Sequence, residues 1–300
     1  MSDAEVLGSD ATAVDPAAIR VERISPAIGA EIHGVDLAAP TAASIAAIRA
    51  LLIRHKVLVF RDQRITPAEQ VAFARAFGEL EIHPVFKHHP DHSELVILGG
   101  GDARSGRENI FHTDVTWRAR PSLGSVLRCV TCPPCGGDTI WTNMAAVYDA
   151  LPEHIKAQIA GLTASHDIVP SFLDRTDRDG HASLRERFPA QSHPMVVQHP
   201  ESGEKILFVN EGFVTHIDSF ARSPRFRTMT EFKTEERALL DYLFSVAKYP
   251  EFQMRLKWRP DTVAFWDNRS TQHYAIQDYH PQVRTMHRAT IIGSEPIPAL

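Results

Sequence analysis

Residues 253–292 read QMRLKWRPDTVAFWDNRSTQHYAIQDYHPQVRTMHRATII, and they carry the clearest signal of the fold. Three short apolar runs, Gln253–Trp258, Thr262–Trp266 and Met286–Ile292, follow one another without a helical pattern between them, which predicts successive strands. Lys205–Val209 is a further run of this kind. Regular alternation of strands and helices would instead predict a parallel sheet. The pattern therefore predicts a mainly antiparallel core, built as a sheet pair or a barrel.

Helical patterns lie mostly before this stretch. Thr41–His55 repeats apolar residues at three- and four-residue steps, which predicts an amphipathic helix. Thr66, Pro67 and Glu69 form the N-cap, first-turn proline and capping box of another helix, which Gly78 ends. The other predicted elements are two strands and two helices, at Val57–Phe60, Leu95–Leu98, Pro152–Leu162 and Thr234–Lys248. Together these elements predict an α+β, mainly β fold with flanking helices.

Low-complexity and polar stretches outline the domain organisation. Residues 1–19 are rich in Ala, Asp, Ser and Gly and predict a flexible tail, which leaves one domain over 20–300. Two polar stretches, Ser171–Gln191 and Ser219–Thr230, predict long loops that are candidates for a lid over a site.

The composition excludes several classes of protein. The chain has 300 residues, of which 43% are hydrophobic, so it is globular rather than disordered. Lys and Arg number 32 and Asp and Glu 37, and the net charge of −5 offers no basic surface for nucleic acid or anionic membrane. No apolar run reaches the ~18 residues that span a bilayer, and no signal peptide is evident. We therefore expect a cytoplasmic protein.

Three cysteines are too few for a disulfide framework. Cys129, Cys132 and Cys135 form a C-x2-C-x2-C run, but an iron–sulfur cluster would need a fourth cysteine. A redox C-x-x-C would need a βαβ context that the sequence lacks. We therefore interpret the three residues as free thiols on a strand and a turn.

The strongest signal of chemistry is Phe111-His112-Thr113-Asp114. In an extended strand, residues two apart face the same side, so His112 and Asp114 can converge on one ion. His273, in WDNRSTQH, would supply a second imidazole. Two imidazoles and one carboxylate form a facial triad, which suits non-haem Fe(II) oxygen chemistry. Zinc accepts the same ligands, so a zinc hydrolase stays an alternative.

Two arginines follow His273 in RTMHRATI. In a strand, Arg284 and Arg288 would face the same side, and inward-facing arginines are costly unless anions meet them. A guanidinium fork suits a carboxylate or a sulfonate. The alternatives are two structural arginines bonded to Asp or Glu, or an anion-binding protein without catalysis.

These residues lie in stretches that together resemble the TauD/TfdA family of Fe(II)- and 2-oxoglutarate-dependent dioxygenases, with the taurine dioxygenase branch most similar. The resemblance covers nearly the whole chain after the tail. It is carried by IGAEIHGVDL, VLVFRDQRITPAEQ, AFGELEIHPVF, FHTDVTW, GGDTIWTNMAAVYDAL, HPESGEKILFVNEGF, EFQMRLKW, WDNRSTQHYA and MHRATI. It implies a double-stranded β-helix, or jelly-roll, core with flanking helices, and a homo-oligomer.

The resemblance also implies a role for each site residue. His112, Asp114 and His273 resemble the iron ligands of the catalytic centre. Arg284 and Thr139 resemble the pair that holds the distal carboxylate of 2-oxoglutarate. The residues that resemble the substrate-binding set are His83, Val115, Phe213 and Arg288.

Three positions depart from the taurine enzymes. Phe86 replaces a tyrosine near the amine of taurine, and Ile168 replaces a pocket phenylalanine. Glu108, with Asn109 next to it, replaces an asparagine, although a glutamate would also pair with an ammonium. The anion-binding end therefore resembles the family, whereas the far end differs.

The resemblance implies hydroxylation of the carbon next to a sulfonate, as in taurine catabolism, with release of sulfite, an aldehyde, succinate and CO2. Fe(II), 2-oxoglutarate and O2 would be required, with ascorbate as the reductant in vitro. An alkyl sulfate or an aryloxyacetate is the alternative substrate within the family.

Overall fold

Strands outnumber helices in the computed structural model, which describes residues 19–99, 109–172, 178–219 and 230–299, without the side chains of 178 and 230–234. The helices are α1 (Ala42–His55), α2 (Pro67–Arg75), α3 (Met144–Ala150), α4 (Glu153–Ile159), α5 (Arg178–Arg187) and α6 (Thr230–Val246). The strands are β1 (Arg20–Arg23), β2 (Ala30–His33), β3 (Val57–Phe60), β4 (Leu95–Gly99), β5 (Ser122–Thr131), β6 (Thr139–Asn143), β7 (Thr163–His166), β8 (Gln191–Pro194), β9 (Val196–Gln198), β10 (Lys205–Leu207), β11 (Val214–Ile217), β12 (Gln253–Leu256), β13 (Val263–Asp267), β14 (Thr271–Ala275), β15 (Thr285–Ile292) and β16 (Ile297–Pro298). Among these described elements, no helix is both long and apolar enough to span a bilayer.

The strands form one large sheet and several small ones. The large sheet has seven strands in the order β1-β2-β3-β13-β5-β15-β4, and β2 and β3 are its parallel pair. Three-stranded sheets are formed by β12-β6-β14, β11-β7-β8 and β10-β9-β16, all with antiparallel pairing. The predicted combination of helices with mainly antiparallel sheets is therefore confirmed.

A buried apolar layer joins the large sheet to the β12-β6-β14 sheet. Trp141 of β6 and Trp266 of β13 are fully buried, and Trp258 is 3% exposed. Burial of one large apolar side chain contributes about 1.5–3 kcal/mol, so this layer is a major source of stability. The three tryptophans are therefore core residues. Because β14 and β15 border this layer, the residues they carry are held on rigid elements.

Helices α1 and α2 cover the other face of the large sheet. Ile48 and Leu52 of α1 pack in one cluster with Phe73 of α2 and Phe265 of β13. Thr66 caps α2 with the predicted capping box, in which the Thr66 side chain accepts from the backbone N–H of Glu69. Since Phe265 and its neighbour Trp266 face opposite sides of β13, the large sheet is buried on both faces there.

The predicted loop Ser171–Gln191 is wrong, because α5 occupies residues 178–187. The sequence of α5, RDGHASLRER, is polar because this helix buries little more than Leu184. It is nevertheless helical because Arg, Glu, Leu and Ala favour a helix, and one glycine, Gly180, does not prevent it. Apart from their ends, the predicted loop Ser219–Thr230 and the predicted tail lie outside the described residues. Other predicted elements are present with shifted ends; the helix predicted at Thr234–Lys248, for example, is α6.

Candidate active site

His112, Asp114 and His273 meet at one point, where their ligand atoms lie within 4.8 Å of one another. His112 and His273 are joined by a β-bridge, with backbone N···O distances of 3.1 and 2.8 Å. Asp114 lies in a turn rather than in the extended strand that the spacing suggested, and Val115 after it has a φ of 62°. A bridge and a turn therefore bring the three side chains together.

The protonation states of the cluster suit a divalent cation. Nδ1 of His112 donates to the Ile110 carbonyl at 2.8 Å, which leaves the Nε2 lone pair facing the cluster. Burial and His112 lower the pKa of His273 to about 3, so His273 is neutral at pH 7. Burial raises the pKa of Asp114, but Arg288 and the nearby histidines outweigh it and lower that pKa to about 2. A neutral His273, an ionised Asp114 and the Nε2 atom of His112 thus face one point.

Arg288 forms an ion pair with the Asp114 carboxylate. Its Nη1 lies 2.9 Å from Oδ1 and 3.0 Å from Oδ2, and both side chains are buried. The Nε atom of Arg288 is also buried and has no partner among the described residues. One side of the guanidinium is therefore bonded to an aspartate, as the structural alternative supposed, while its Nε–H lacks a protein partner among the described residues.

Arg284 has different surroundings, although it is equally buried. Its Nη2 donates to Thr139 Oγ1 at 3.2 Å, and Trp258 Nε1 donates to the same oxygen at 2.9 Å. Because two donors occupy this oxygen, the Thr139 hydroxyl hydrogen is free to donate to a ligand. No carboxylate among the described residues pairs with Arg284. A Cβ on Gly137 would lie 3.1 Å from Arg284 Cδ, so a glycine leaves room for the arginine.

His83 lies beside Arg288 and is 4% exposed. Its Nδ1 accepts from the backbone N–H groups of Val85, at 3.3 Å, and Phe86, at 3.4 Å. The Nε2 atom of the neutral ring therefore carries the hydrogen, and burial together with Arg288 holds the pKa of His83 well below its usual value. The Phe86 ring lies 4.5 Å from the His83 ring, and the Arg288 guanidinium carbon lies 5.5 Å from the Phe86 centroid.

These groups line one cavity. Its wall on the His83 side is apolar and includes Phe86, Val115, Phe172 and Phe213. Asp114 is its one acidic residue within the described part of the chain. The cavity thus combines two arginines, a candidate metal cluster and an apolar wall.

Of the three departures from the taurine enzymes, only Phe86 lines this cavity among the described residues. Asn109 is exposed, and Ile168 is buried in the cluster behind Val115 and Phe213. Glu108 lies outside the described residues.

Some site residues escaped the sequence analysis. Trp117, Ser171 and Phe172 line the cavity, and the last two begin the stretch interpreted as a loop. Asn268 contacts the backbone of Asp114. It lies in the quoted motif WDNRSTQH, so its place beside His273 was the available signal.

The cysteines agree with their interpretation as free thiols. Cys129 is buried, and burial together with Cys132 raises the pKa of its thiol to about 12. Across the described residues, His112, Asp114 and His273 are the one group spaced to hold a metal.

The chain is similar to proteins of known name along most of its length. It is 35% identical to an alpha-ketoglutarate-dependent sulfate ester dioxygenase from Pseudomonas putida, over 96% of this chain and 94% of that protein. It is 33% identical to an alkylsulfatase from Acinetobacter baylyi, over 92% and 85% of the two chains. The crystal structure of a taurine dioxygenase from Burkholderia xenovorans matches with a TM-score of 0.77 and 37% identity, over 94% of this chain and 91% of that one.

A family model agrees with these likenesses. The model described as taurine catabolism dioxygenase TauD, TfdA family matches residues 20–290. The matched residues include the metal-ligand cluster, both arginines and every strand from β1 to β14. The chain therefore belongs to the TauD/TfdA family of alpha-ketoglutarate-dependent dioxygenases.

Proposed function

We propose that this protein is an Fe(II)- and 2-oxoglutarate-dependent dioxygenase that hydroxylates the carbon next to the sulfur oxyanion of a small alkyl substrate. The substrate is an alkyl sulfonate, or an alkyl sulfate ester as the alternative. The observation that carries the proposal is that Arg288 and His83 line the same cavity as the metal-ligand cluster, beside an apolar wall.

The metal site fits Fe(II). His112, Asp114 and His273 provide the two imidazoles and one carboxylate of a facial triad, which leaves positions for other ligands. When bound, Fe(II) with 2-oxoglutarate and O2 supplies the C–H hydroxylation, with succinate and CO2 as co-products, and ascorbate keeps the metal reduced in vitro. A zinc hydrolase would leave Arg284 and Thr139 without a task and has no support from a family of dioxygenases.

Arg284 and Thr139 fit the distal carboxylate of 2-oxoglutarate. The guanidinium and the free hydroxyl hydrogen of Thr139 both donate, so one carboxylate satisfies both with charge-assisted bonds. Trp258 holds the threonine oxygen in place. These residues position the cosubstrate, and their arrangement before binding limits the entropy lost on binding.

Arg288 and His83 fit the oxygens of the substrate anion. Arg288 supplies charge and His83 supplies a neutral Nε2–H donor, which suits a sulfur oxyanion with several acceptor oxygens. The carbon bonded to the anion would then lie beside the metal-ligand cluster. Hydroxylation of that carbon in a sulfonate gives a product that collapses to an aldehyde and sulfite, whereas a sulfate ester gives an aldehyde and sulfate.

The apolar wall favours an alkyl chain over taurine. The ammonium of taurine would need a carboxylate partner. Among the described cavity residues the one carboxylate is Asp114, and it is already paired with Arg288. Phe86 and Phe172 offer aromatic contact area instead, with their rings 5.6 Å apart. Glu108 is the residue that would have to pair with an amine if taurine were the substrate.

The remaining expectations are part of the same proposal. The large sheet and the β12-β6-β14 sheet would be the two halves of a double-stranded β-helix, which their shared apolar layer supports. The domain would span residues 20–300, act in the cytoplasm and form a homo-oligomer.

Succinate release tests the proposal. The assay contains Fe(II), ascorbate, 2-oxoglutarate and O2, with a panel of propanesulfonate, hexyl sulfate, taurine and a phenoxyacetate, and it reads sulfite and sulfate separately. We expect a sulfonate or an alkyl sulfate without an amine to stimulate succinate release most. Stimulation by taurine alone, or by the phenoxyacetate alone, would overturn the proposed substrate class.

A further inference from the structure

Asn268 is a buried side chain whose whole amide bonds to another part of the chain. It follows β13 and is 1% exposed. Its Oδ1 accepts from the Asp114 N–H at 2.9 Å, and its Nδ2 donates to the carbonyls of Asp114, at 2.9 Å, and Ser122, at 3.2 Å. One side chain thus satisfies both backbone groups of Asp114.

Asp114 needs such a partner because the strand pairing ends before it. The β-bridge joins His112 to His273 and goes no further, so Asp114 has no ladder neighbour. Val115 then adopts a φ of 62°, which is strained for a β-branched residue and persists only where the surroundings hold it. A side-chain amide carries the same donor and acceptor as a peptide group, so Asn268 takes the place of the missing strand neighbour.

Asn268 also has a rigid connection to the other half of the cluster. It lies five residues before His273, in the tight connection between β13 and β14. This connection is held by a bond of 2.8 Å from Thr271 Oγ1 to the Asp267 carbonyl. Asn268 therefore links the backbone of one predicted ligand, Asp114, to the hairpin that carries another, His273.

Two other bonds join the same segments, but neither reaches Asp114. The bridge fixes His112, and Thr113 Oγ1 donates to the Thr271 carbonyl at 2.9 Å. Arg288 bonds to the Asp114 carboxylate, and Ser122 Oγ donates to the Asp114 carbonyl at 3.4 Å. Loss of Asn268 would still remove the bond to the Asp114 N–H and the shorter bond to its carbonyl, so the carboxylate would be held less firmly relative to the two imidazoles.

We propose that Asn268 is a positioning residue for the metal centre, which sets the place of the Asp114 carboxylate relative to His273. The inference rests on the proposed metal site. Partners behind metal ligands typically change metal affinity by about 10- to 100-fold when they are removed. Asn268 acts through the backbone of a ligand, and we expect an effect in this range.

The test is the Kd for Mn(II), measured by calorimetry on the metal-free full chain, so it does not depend on turnover. We expect Asn268→Ala to weaken Mn(II) binding about 10- to 100-fold. Asn143→Ala is the matched control, because Asn143 is also buried and its amide also makes three bonds, to Ala27, Ala145 and Ala146. Asn143 does not contact the cluster, so its loss should lower the Tm and leave the Kd unchanged.

A folded Asn268→Ala variant with the wild-type Kd would overturn the inference, as would an equal loss of affinity in Asn143→Ala. If Asn268→Ala does not fold, Asn268→Ser, which keeps a short polar group, takes its place. Its Kd for Mn(II) should lie between that of the wild type and the value expected for Asn268→Ala. A wild-type Kd in Asn268→Ser would also overturn the inference. His273→Ala separates the two proposals. If His273→Ala binds Mn(II) as the wild type does, the metal site itself is wrong, whereas loss in His273→Ala alone rejects only the role of Asn268.

Discussion

Arg284 and Arg288 are four residues apart and equally buried, yet they end in opposite electrostatic situations. Arg284 meets the neutral hydroxyl of Thr139, and no carboxylate in the described chain pairs with it. Arg288 already bonds to both oxygens of Asp114. The Arg284 end is therefore prepared for a new carboxylate, whereas an anion at the Arg288 end must share the guanidinium with a predicted metal ligand. We therefore predict that the partner of a buried arginine, and not its burial, determines how strongly it holds a ligand.

The largest effect should come from the cluster that both ends share. We expect His112→Ala, Asp114→Ala and His273→Ala to reduce succinate release to the background of the assay, because each removes one of three ligands. Circular dichroism controls for folding. Substantial turnover in any one of these variants would reject the assignment of that residue as a metal ligand. It would also reject the idea that the Arg284 end and the Arg288 end of the cavity share one metal centre.

Arg284→Ala should weaken the binding of 2-oxoglutarate without affecting the binding of the sulfur substrate. It removes two charge-assisted bonds of ~1.5 kcal/mol each, so the 2-oxoglutarate concentration for half-maximal rate should rise about 100-fold. The KM for the sulfur substrate should change little, and this second titration is the control. An unchanged 2-oxoglutarate requirement would mean that Arg284 has another role.

Arg288→Ala should have a smaller and complementary effect. Asp114 occupies one side of the guanidinium, so about one charge-assisted bond to the substrate is lost, and substrate affinity should fall about tenfold. The 2-oxoglutarate requirement should stay near that of the wild type. If the two arginine variants gave the same pattern, the two ends of the cavity would not be separate sites.

Phe86→Tyr should have the smallest effect, and it tests which residues of the Arg288 end determine substrate preference. A hydroxyl added beside His83 and Phe172 offers one neutral hydrogen bond, so the preference for taurine over propanesulfonate should rise about 2- to 10-fold. Phe188→Tyr, in a ring that contacts Trp117 but does not line the cavity, is the control. An unchanged ratio in Phe86→Tyr would remove Phe86 from the specificity determinants.

Local signals in the sequence were enough to predict most of the helices and strands. The capping box at Thr66 and Glu69 and the apolar runs of β3, β4 and β13 depend on neighbours within a few residues, and they are present as expected. The segment Ser171–Gln191 was misinterpreted because α5 buries little apolar surface and its polar residues resemble a loop. Periodicity fails where a helix has almost no core face.

The sequence by itself determined the residue types of the site and the antiparallel character of the core. His112, Asp114, His273 and both arginines could be chosen from their spacing and from the family motifs, since spacing within a strand limits which side chains share a face. These signals are local, or they recur in a recognisable pattern.

Only the tertiary structure decided which groups touch. Asp114 meets Arg288 across 174 residues of chain, and Asn268 meets Asp114 across 154. Such pairs depend on how the sheets stack and on where a turn replaces a strand, because contacts between distant segments leave no periodic trace in a single sequence. The difference between the partners of Arg284 and Arg288 is therefore a property of the packed molecule.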